Sequence, residues 1–273
     1  MVPLYHFHIL RALESADRQA VIDLAYRREG ENLFLLGSFD RYAEPFRENP
    51  TMGFFEGDAL VGMGTRFSRF GGLVIHAPTV DIINALTDAF VAKHYPIRAV
   101  PAYDRYATAT IERLRTHGIV PRDIHYQTMF RLTAERFVDH SSACARRATE
   151  DDRDAILMLI RRVDGLDLEP PIDETERGLI FIPYEFVLER EGRIVARACT
   201  HGESLHFVQL GGVVTDSLER GKGYGKQITS AVCRHWLAQG KEILLFCRDD
   251  NAHALAIYRA LGFEAFDRFT VGM

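Results

Sequence analysis

The stretch Gly211-Gly212-Val213-Val214-Thr215-Asp216-Ser217-Leu218-Glu219-Arg220-Gly221-Lys222-Gly223-Tyr224-Gly225-Lys226 constrains this chain more than any other. An apolar run ends in a short polar connection, three glycines alternate with other residues, and Ile228, Ala231, Val232 and Trp236 then recur at helical spacing. The pattern predicts a buried strand, a tight turn and an amphipathic helix reaching about residue 238. Glycines lack a Cβ and let the backbone come close to a ligand, and the first N–H groups of a helix point outward from its positive dipole end. With Arg220, Lys222 and Lys226 clustered at the turn, these residues compose an anion site.

Two common phosphate motifs do not fit the turn. A P-loop requires Gly at 220 and Ser or Thr at 227, where this chain has Arg220 and Gln227. A dinucleotide fingerprint needs G-x-G-x-x-G directly after a first strand, followed by an acidic residue; Gly221, Gly223 and Gly225 instead form G-x-G-x-G late in the chain. Composition narrows the partner further. The formal net charge of −5 argues against a phosphate-backbone partner such as nucleic acid, which draws a broad basic stripe. Cys144, Cys199, Cys233 and Cys247 fit neither a zinc pattern nor a disulfide framework and are expected to be buried, reduced thiols. His6 and His8 share a strand face, but with no third ligand nearby they are expected to be a partly buried pair, and no metal is expected. The chain starts without a cationic, apolar leader and has no window of 18 uncharged apolar residues, so a cytoplasmic protein with no membrane partner is expected.

In chain order the signals repeat. Residues 4–10 read as a strand and 14–27 as a helix; a hairpin over 54–67 turns at Gly57-Asp58, and a third strand follows at 72–76. A helix over 80–94, a strand at 97–101, a helix over 106–116 and a strand at 126–132 complete the first half. After a polar segment at 133–143 comes a strand at 144–148, and Thr149 with Asp152 forms a capping box that opens a helix through Arg162. Residues 163–182 read as irregular, 185–189 and 193–200 as a hairpin, and 205–215 as the longest strand. Beyond the glycine turn lie a strand at 242–247, a helix over 252–261 stopped by Gly262, and a strand at 266–271. Each half thus reads strand, helix, three-stranded meander, helix, strand, helix, strand, and Gly118-Ile119 and Gly262-Phe263 stand 144 positions apart. This order is that of a structural duplication; two unrelated α/β pieces are the alternative.

Arg220-Gly221-Lys222-Gly223-Tyr224-Gly225 resembles the acyl-CoA signature Q/R-x-x-G-x-G/A of the GNAT superfamily of N-acetyltransferases. The resemblance extends to the Gly-Gly-Val-Val-Thr strand before it and to Asn251-x-x-Ala254-x-x-x-Tyr258-x-x-x-Gly262-Phe263 after it. It implies an α/β (α+β) chain of two tandem GNAT-like domains, each a mixed, mostly antiparallel sheet flanked by helices. Residues 1–135 would be a degenerate domain without a cofactor loop, since Ala77-Pro78-Thr79 stands where the glycine turn should be and Ala107 and Leu114 replace Asn251 and Tyr258. Residues 144–273 would be the catalytic, acetyl-CoA-binding domain.

The resemblance also implies the chemistry. The pyrophosphate of acetyl-CoA would lie on the amides from Gly221 to Lys226, with Arg220, Lys222 and Lys226 beside it. The pantetheine would pair with the main chain of Val213, Val214 and Thr215, and the acyl carbonyl would accept from the amide of Val213 or Val214. Asn251 and Tyr258, seven residues apart, share a helix face; Asn251 and Ala254 would hold the pantetheine arm, and Tyr258 would protonate the departing thiolate. Asn251 would equally serve as a plain N-cap. The chain departs from the pattern at Gln209, eleven residues before Arg220, where family members with a strand carboxylate carry their base. Glu203, His201 and His206 lie at or near the start of the strand; His206 is the candidate to take the proton, and a water chain, or an amine that loses its proton before binding, is the alternative. The acceptor would be a primary amine of a small molecule or peptide, met by a monomer or homodimer. The alternative is an acyl-CoA-binding regulatory protein that has lost catalysis.

Overall fold

The computed structural model describes residues 8–273, so His6 and the start of the expected first strand lie outside the described residues. The chain runs β1 (His8–Ala12), α1 (Arg18–Tyr26), α2 (Leu33–Arg41), α3 (Pro45–Glu48), β2 (Thr51–Glu56), β3 (Ala59–Phe67), β4 (Gly72–His76), α4 (Val80–Ala92), β5 (Val100–Tyr103), α5 (Asp104–Thr116) and β6 (Ile124–Leu132). It continues with β7 (Ala145–Arg147), α6 (Arg153–Asp164), α7 (Glu174–Arg177), β8 (Glu185–Arg190), β9 (Arg193–Glu203), β10 (Phe207–Thr215), α8 (Tyr224–Leu237), β11 (Glu242–Arg248), α9 (Ala252–Leu261) and β12 (Glu264–Gly272). Each half therefore has the expected order, a three-stranded meander between helices, then helix, strand, helix and strand. The longest strand of the second half is β9, with 11 residues, rather than β10.

Two compact units divide the chain: residues 1–129 with 266–273, and residues 130–265. The division runs through β6 and β12, not through the polar segment at 133–143. In the first unit the sheet order is β1-β2-β3-β4, all antiparallel, and β5 pairs antiparallel with the C-terminal strand β12. Side chains account for that pairing: Phe269 of β12 meets Tyr103 at 5.8 Å between ring centroids, and the Thr270 hydroxyl donates to Asp104 at 2.5 Å. In the second unit the order is β6-β11-β10-β9-β8-β7, with β10 and β11 parallel. Here Phe130 and Leu132 of β6 enter the core, on which Ile228, Val232 and Trp236 of α8 and Leu261 of α9 pack from one face. On the other face Ile156, Leu157 and Leu159 of α6 pack on Val187 and Ile194.

Three helices, α2, α3 and α7, went unread in the sequence. α2 buries Leu33, Leu35, Leu36 and Phe39, a short apolar stripe without strong caps. α7 interrupts the segment expected to be irregular, and its start is a capping box in which Asp173 accepts from the Glu176 amide at 2.8 Å.

Gly262 ends α9 at φ 94°, and a Cβ there would lie 2.0 Å from the Arg136 carbonyl oxygen. Gly240 has a similar φ of 76° but open space around it. Gly262→Ala is expected to lower stability by about 3–5 kcal/mol, combining backbone strain with a rigid clash. Gly240→Ala should cost only the strain, about 1–2 kcal/mol. Urea unfolding of the two variants measures the difference; equal losses would show that the Arg136 carbonyl gives way freely.

Candidate functional site

β10 organises the site because it leaves its neighbour midway. It pairs with β11 only from Phe207↔Glu242 to Gln209↔Leu244, although β10 continues to Thr215 and β11 to Arg248. Burial follows the same break: residues 208–210 are buried, whereas 211–215 are partly exposed. From Gly211 onward the β11-facing edge of β10 therefore carries main-chain donors and acceptors that no strand of this unit takes up.

On its other side β10 pairs with β9 through two register shifts. Leu210 lies opposite Thr200 and Gln209 opposite Gly202, so His201 is an extra residue on β9. Gly211 lies opposite Cys199 and Val214 opposite Arg197, so Gly212 and Val213 together face Ala198. Such bulges leave a residue out of the ladder and re-aim side chains. The second one needs glycine, since Gly212 takes φ 56° and a Cβ there would lie 2.7 Å from the Cys199 sulfur. After the bulge Val213 packs against the α8 and α9 side and Val214 against the α6 side, so both are core residues through their side chains and differ in what their main chain faces.

The turn after β10 is clamped at its entry. Asp216 is 1% exposed; its carboxylate accepts from the Leu218 amide at 3.1 Å, with Arg162 at 3.3 Å and Arg193 at 3.5 Å. Gly221 and Gly223 then take φ 80° and 79°, and Gly223 is the N-cap of α8 with no side-chain cap and no acidic residue in the first turn. The first amides of α8 are thus left for a ligand, at the end of the helix that attracts negative charge. Gly225 packs tightly, with Ile257 and Thr215 at 3.2 and 3.4 Å from the place of a Cβ, which seats the helix start against α9 and β10. The basic residues are unequal. Arg220 is exposed and Lys226 partly so, while Lys222 is paired with Glu219 at 2.7 Å, which also accepts from Arg193 at 2.8 Å. A further cation went unnoticed in the sequence: the Arg190 guanidinium lies 5.4 Å from the Tyr224 ring centroid, at the helix start.

α9 carries the second motif. Asn251 is its N-cap and accepts from the Ala254 amide at 3.1 Å, so the plain capping role is occupied, and Ala254 packs at the core's edge. Tyr258 is 8% exposed, between Phe130 at 6.2 Å and Phe263 at 5.6 Å. Burial, reinforced by Cys247 and Cys233, pushes its phenol well above the ordinary tyrosine range, so it stays protonated at neutral pH. Burial likewise pushes the Cys247 thiol up to about 11, and all four cysteines are free thiols.

His206 is not brought to the divergence. It lies just before β10, where its carbonyl accepts from the Glu242 amide at 2.8 Å, seven residues from Val213 along an extended strand. That separation is roughly 23 Å. Glu203 is paired with Lys241 at 2.7 Å. His201 lies close to β10: a Cβ on Gly211 would fall 2.2–2.8 Å from its ring atoms, so the imidazole lies over the Gly211 α-carbon. The bulge that aims it there left no mark in the sequence. Asp164, the last residue of α6, and Asp167 and Glu169 in the loop that follows are exposed.

Beneath Gly212, Arg197 and Glu185 form a buried pair with contacts of 2.7–2.9 Å. Burial disfavours the charged Arg197, but Cys199 and Glu185 outweigh it and hold the guanidinium protonated.

The first unit has the corresponding elements, filled differently. The start of β4 meets the residues just before β5, through a parallel bridge Gly72↔Ala99 and the Leu73 amide donating to the Ala99 carbonyl at 2.8 Å. The start of α4 is capped by Thr79, whose hydroxyl accepts from the Ile82 amide at 3.4 Å, with Asp81 in the first turn. Beside β4, Glu31 accepts from the Tyr106 hydroxyl at 2.7 Å and faces His76 at 3.5 Å and Arg105. Burial opposes the Glu31 charge, yet hydrogen bonds from His76 and Tyr106 and the charge of Arg105 bring its carboxyl down to about 2. Ala107 and Leu114, at the positions of Asn251 and Tyr258, are 0% and 1% exposed. Among the described residues no cluster of His, Cys, Asp and Glu could hold a metal, and no helix is long and apolar enough to cross a membrane.

Comparisons with known proteins agree on the fold. The Acetyltransferase (GNAT) family model matches residues 155–263. A mycothiol acetyltransferase of Saccharomonospora viridis is 36% identical over 86 residues, a stretch spanning 28% of this chain and 28% of that protein. A tandem GNAT protein from the clavulanic acid biosynthesis pathway superposes with a TM-score of 0.66 at 15% identity, over 97% of both chains. A GCN5-related N-acetyltransferase from Sphaerobacter thermophilus gives 0.61 at 16% identity, over 97% of this chain and 94% of that one. The chain has the GNAT-superfamily acetyltransferase fold, built with two sheet domains.

Because Glu185 and Arg197 neutralise each other in the interior, Glu185→Gln leaves the guanidinium buried without its counter-charge. A loss of about 3–5 kcal/mol is expected in urea unfolding; a loss under about 1 kcal/mol would mean that water reaches Arg197.

Proposed function

We propose that this chain is an acyl-CoA-dependent N-acyltransferase that moves an acetyl group to a primary amine in a ternary complex, with the second unit holding acetyl-CoA. One observation carries the reading: a strand whose outer edge is left without a partner from Gly211 onward leads directly into an uncapped, glycine-opened helix start. An extended chain ending in a pyrophosphate needs that pairing of features, main-chain partners along its length and an anion cradle at its end. The family match over residues 155–263 covers both, and the acetyltransferase from Saccharomonospora viridis supports acetyl as the group carried.

Acetyl-CoA would supply the activated thioester; the protein's residues do the rest. The amides from Gly221 to Lys226, with Arg220 and Lys226, bind the pyrophosphate. The main chain of Val213, Val214 and Thr215 orients the pantetheine, and the bulge at Gly212 and Val213 supplies donors to the acyl oxygen as it gains charge. Tyr258, protonated by virtue of its burial, gives a proton to the leaving sulfur. The first unit has no cofactor role in this scheme, because its helix start is already capped by Thr79 and flanked by Asp81. A second reading, an acyl-CoA-binding regulatory protein, is favoured by Gln209, an amide at the position of the usual carboxylate.

Gly223→Asp places a carboxylate in the cradle and should abolish acetyl-CoA binding in calorimetry. Tyr258→Phe should lower turnover about tenfold or more while leaving acetyl-CoA affinity within about twofold. If both variants behave like the parent, the scheme is wrong. Free-thiol release from acetyl-CoA across a panel of amines separates the two readings: activity with any amine removes the regulatory one.

A further inference from the structure

We infer that His201 is the group that takes the proton from the attacking amine. The inference rests on the acyltransferase reading and deepens it by naming the residue that replaces the missing carboxylate at Gln209.

Three observations place the imidazole. First, the ring lies over the α-carbon of Gly211, two residues beyond the last β10 residue paired with β11, Gln209. Second, His201 is itself the extra residue of a β-bulge, the device by which a strand redirects one side chain out of its alternation. Third, its exposed setting gives the proton a route to water. Gly211 is also the residue that makes room, since any Cβ there would collide with the ring. That explains the second of two adjacent glycines: Gly212 is required by its positive φ, whereas Gly211 has none and is required by His201.

β10 carries no ionisable residue from Phe207 to Thr215. On β9 the neighbours are Cys199, Arg197, which is held by Glu185 of β8, and Glu203, which is held by Lys241. In the step assigned to His201, the amine nitrogen forms a bond to the acyl carbon and an amine proton passes to the ring. The C–S bond breaks with its electron pair going to sulfur, which takes a proton from Tyr258. The products are the amide and free CoA thiol, and the ring and the phenol recover their protonation states through solvent.

The test combines a pH profile with a spectroscopic readout that needs no turnover. In protein labelled with ¹³C-histidine, the His201 resonance, assigned with His201→Gln, should move when CoA is added, and the His206 resonance should not. In the amine assay the parent kcat/KM should rise with pH as the imidazole gives up its proton. His201→Gln should remove that rise and lower kcat about 10²–10⁴-fold, with acetyl-CoA affinity within about twofold. Gly211→Ala, which displaces the ring, should act in the same direction. A His201→Gln variant that keeps the rise and the rate overturns the assignment, as does a His201 resonance that stays still while calorimetry shows CoA binding. Absence of CoA binding to the parent protein brings down the acyl-CoA reading and the assignment together.

Discussion

Everything at this site follows from the parting of β10 from β11 after Gln209 and Leu244. A parallel strand pair normally satisfies both partners along its length, and unpaired edges inside a sheet are costly. Here the break is held open from both sides. Toward β9, two bulges twist β10 and take Gly212 and Val213 out of regular register. At the far end, Asp216 is locked by Arg162, Arg193 and the Leu218 amide, so the strand exits in a fixed direction. Gly225 then lets α8 start against Thr215 and Ile257. The helix start and the open strand edge are therefore placed by the same few residues.

The two units fill corresponding elements differently. In both, the third strand of the meander touches the next strand only briefly. In the first unit the helix start has a hydroxyl cap and an acid, and Glu31, His76, Tyr106 and Arg105 form an ionic cluster beside β4. In the second, the helix start has glycines and no cap. A backbone amide satisfied by Thr79 is one that no phosphate can use.

Much of this was legible in the sequence, for identifiable reasons. The order of elements could be read because apolar periodicity and glycine stops are local signals; α9 was expected at 252–261 and is found there. The helix-opening turn was legible because positive-φ positions demand glycine. What escaped depends on pairing between strands. Nothing in residues 193–215 announces that His201 is an extra residue in the ladder, so its position over Gly211 could not be read there. The run of β12 beside β5 escaped for the same reason, since Phe269 and Thr270 find Tyr103 and Asp104 about 165 positions away, a contact that no periodicity encodes. α7 was missed although its capping box, Asp173 with Glu176, stood in plain view among prolines and acids.

In the proposed function the second unit alone offers an acyl-CoA both an open strand edge and an uncapped helix start. Calorimetric titration of the full chain with acetyl-CoA measures this directly. The account predicts saturable binding with a stoichiometry of one per chain. Two equivalents per chain, or no binding heat at any temperature tested, would contradict it.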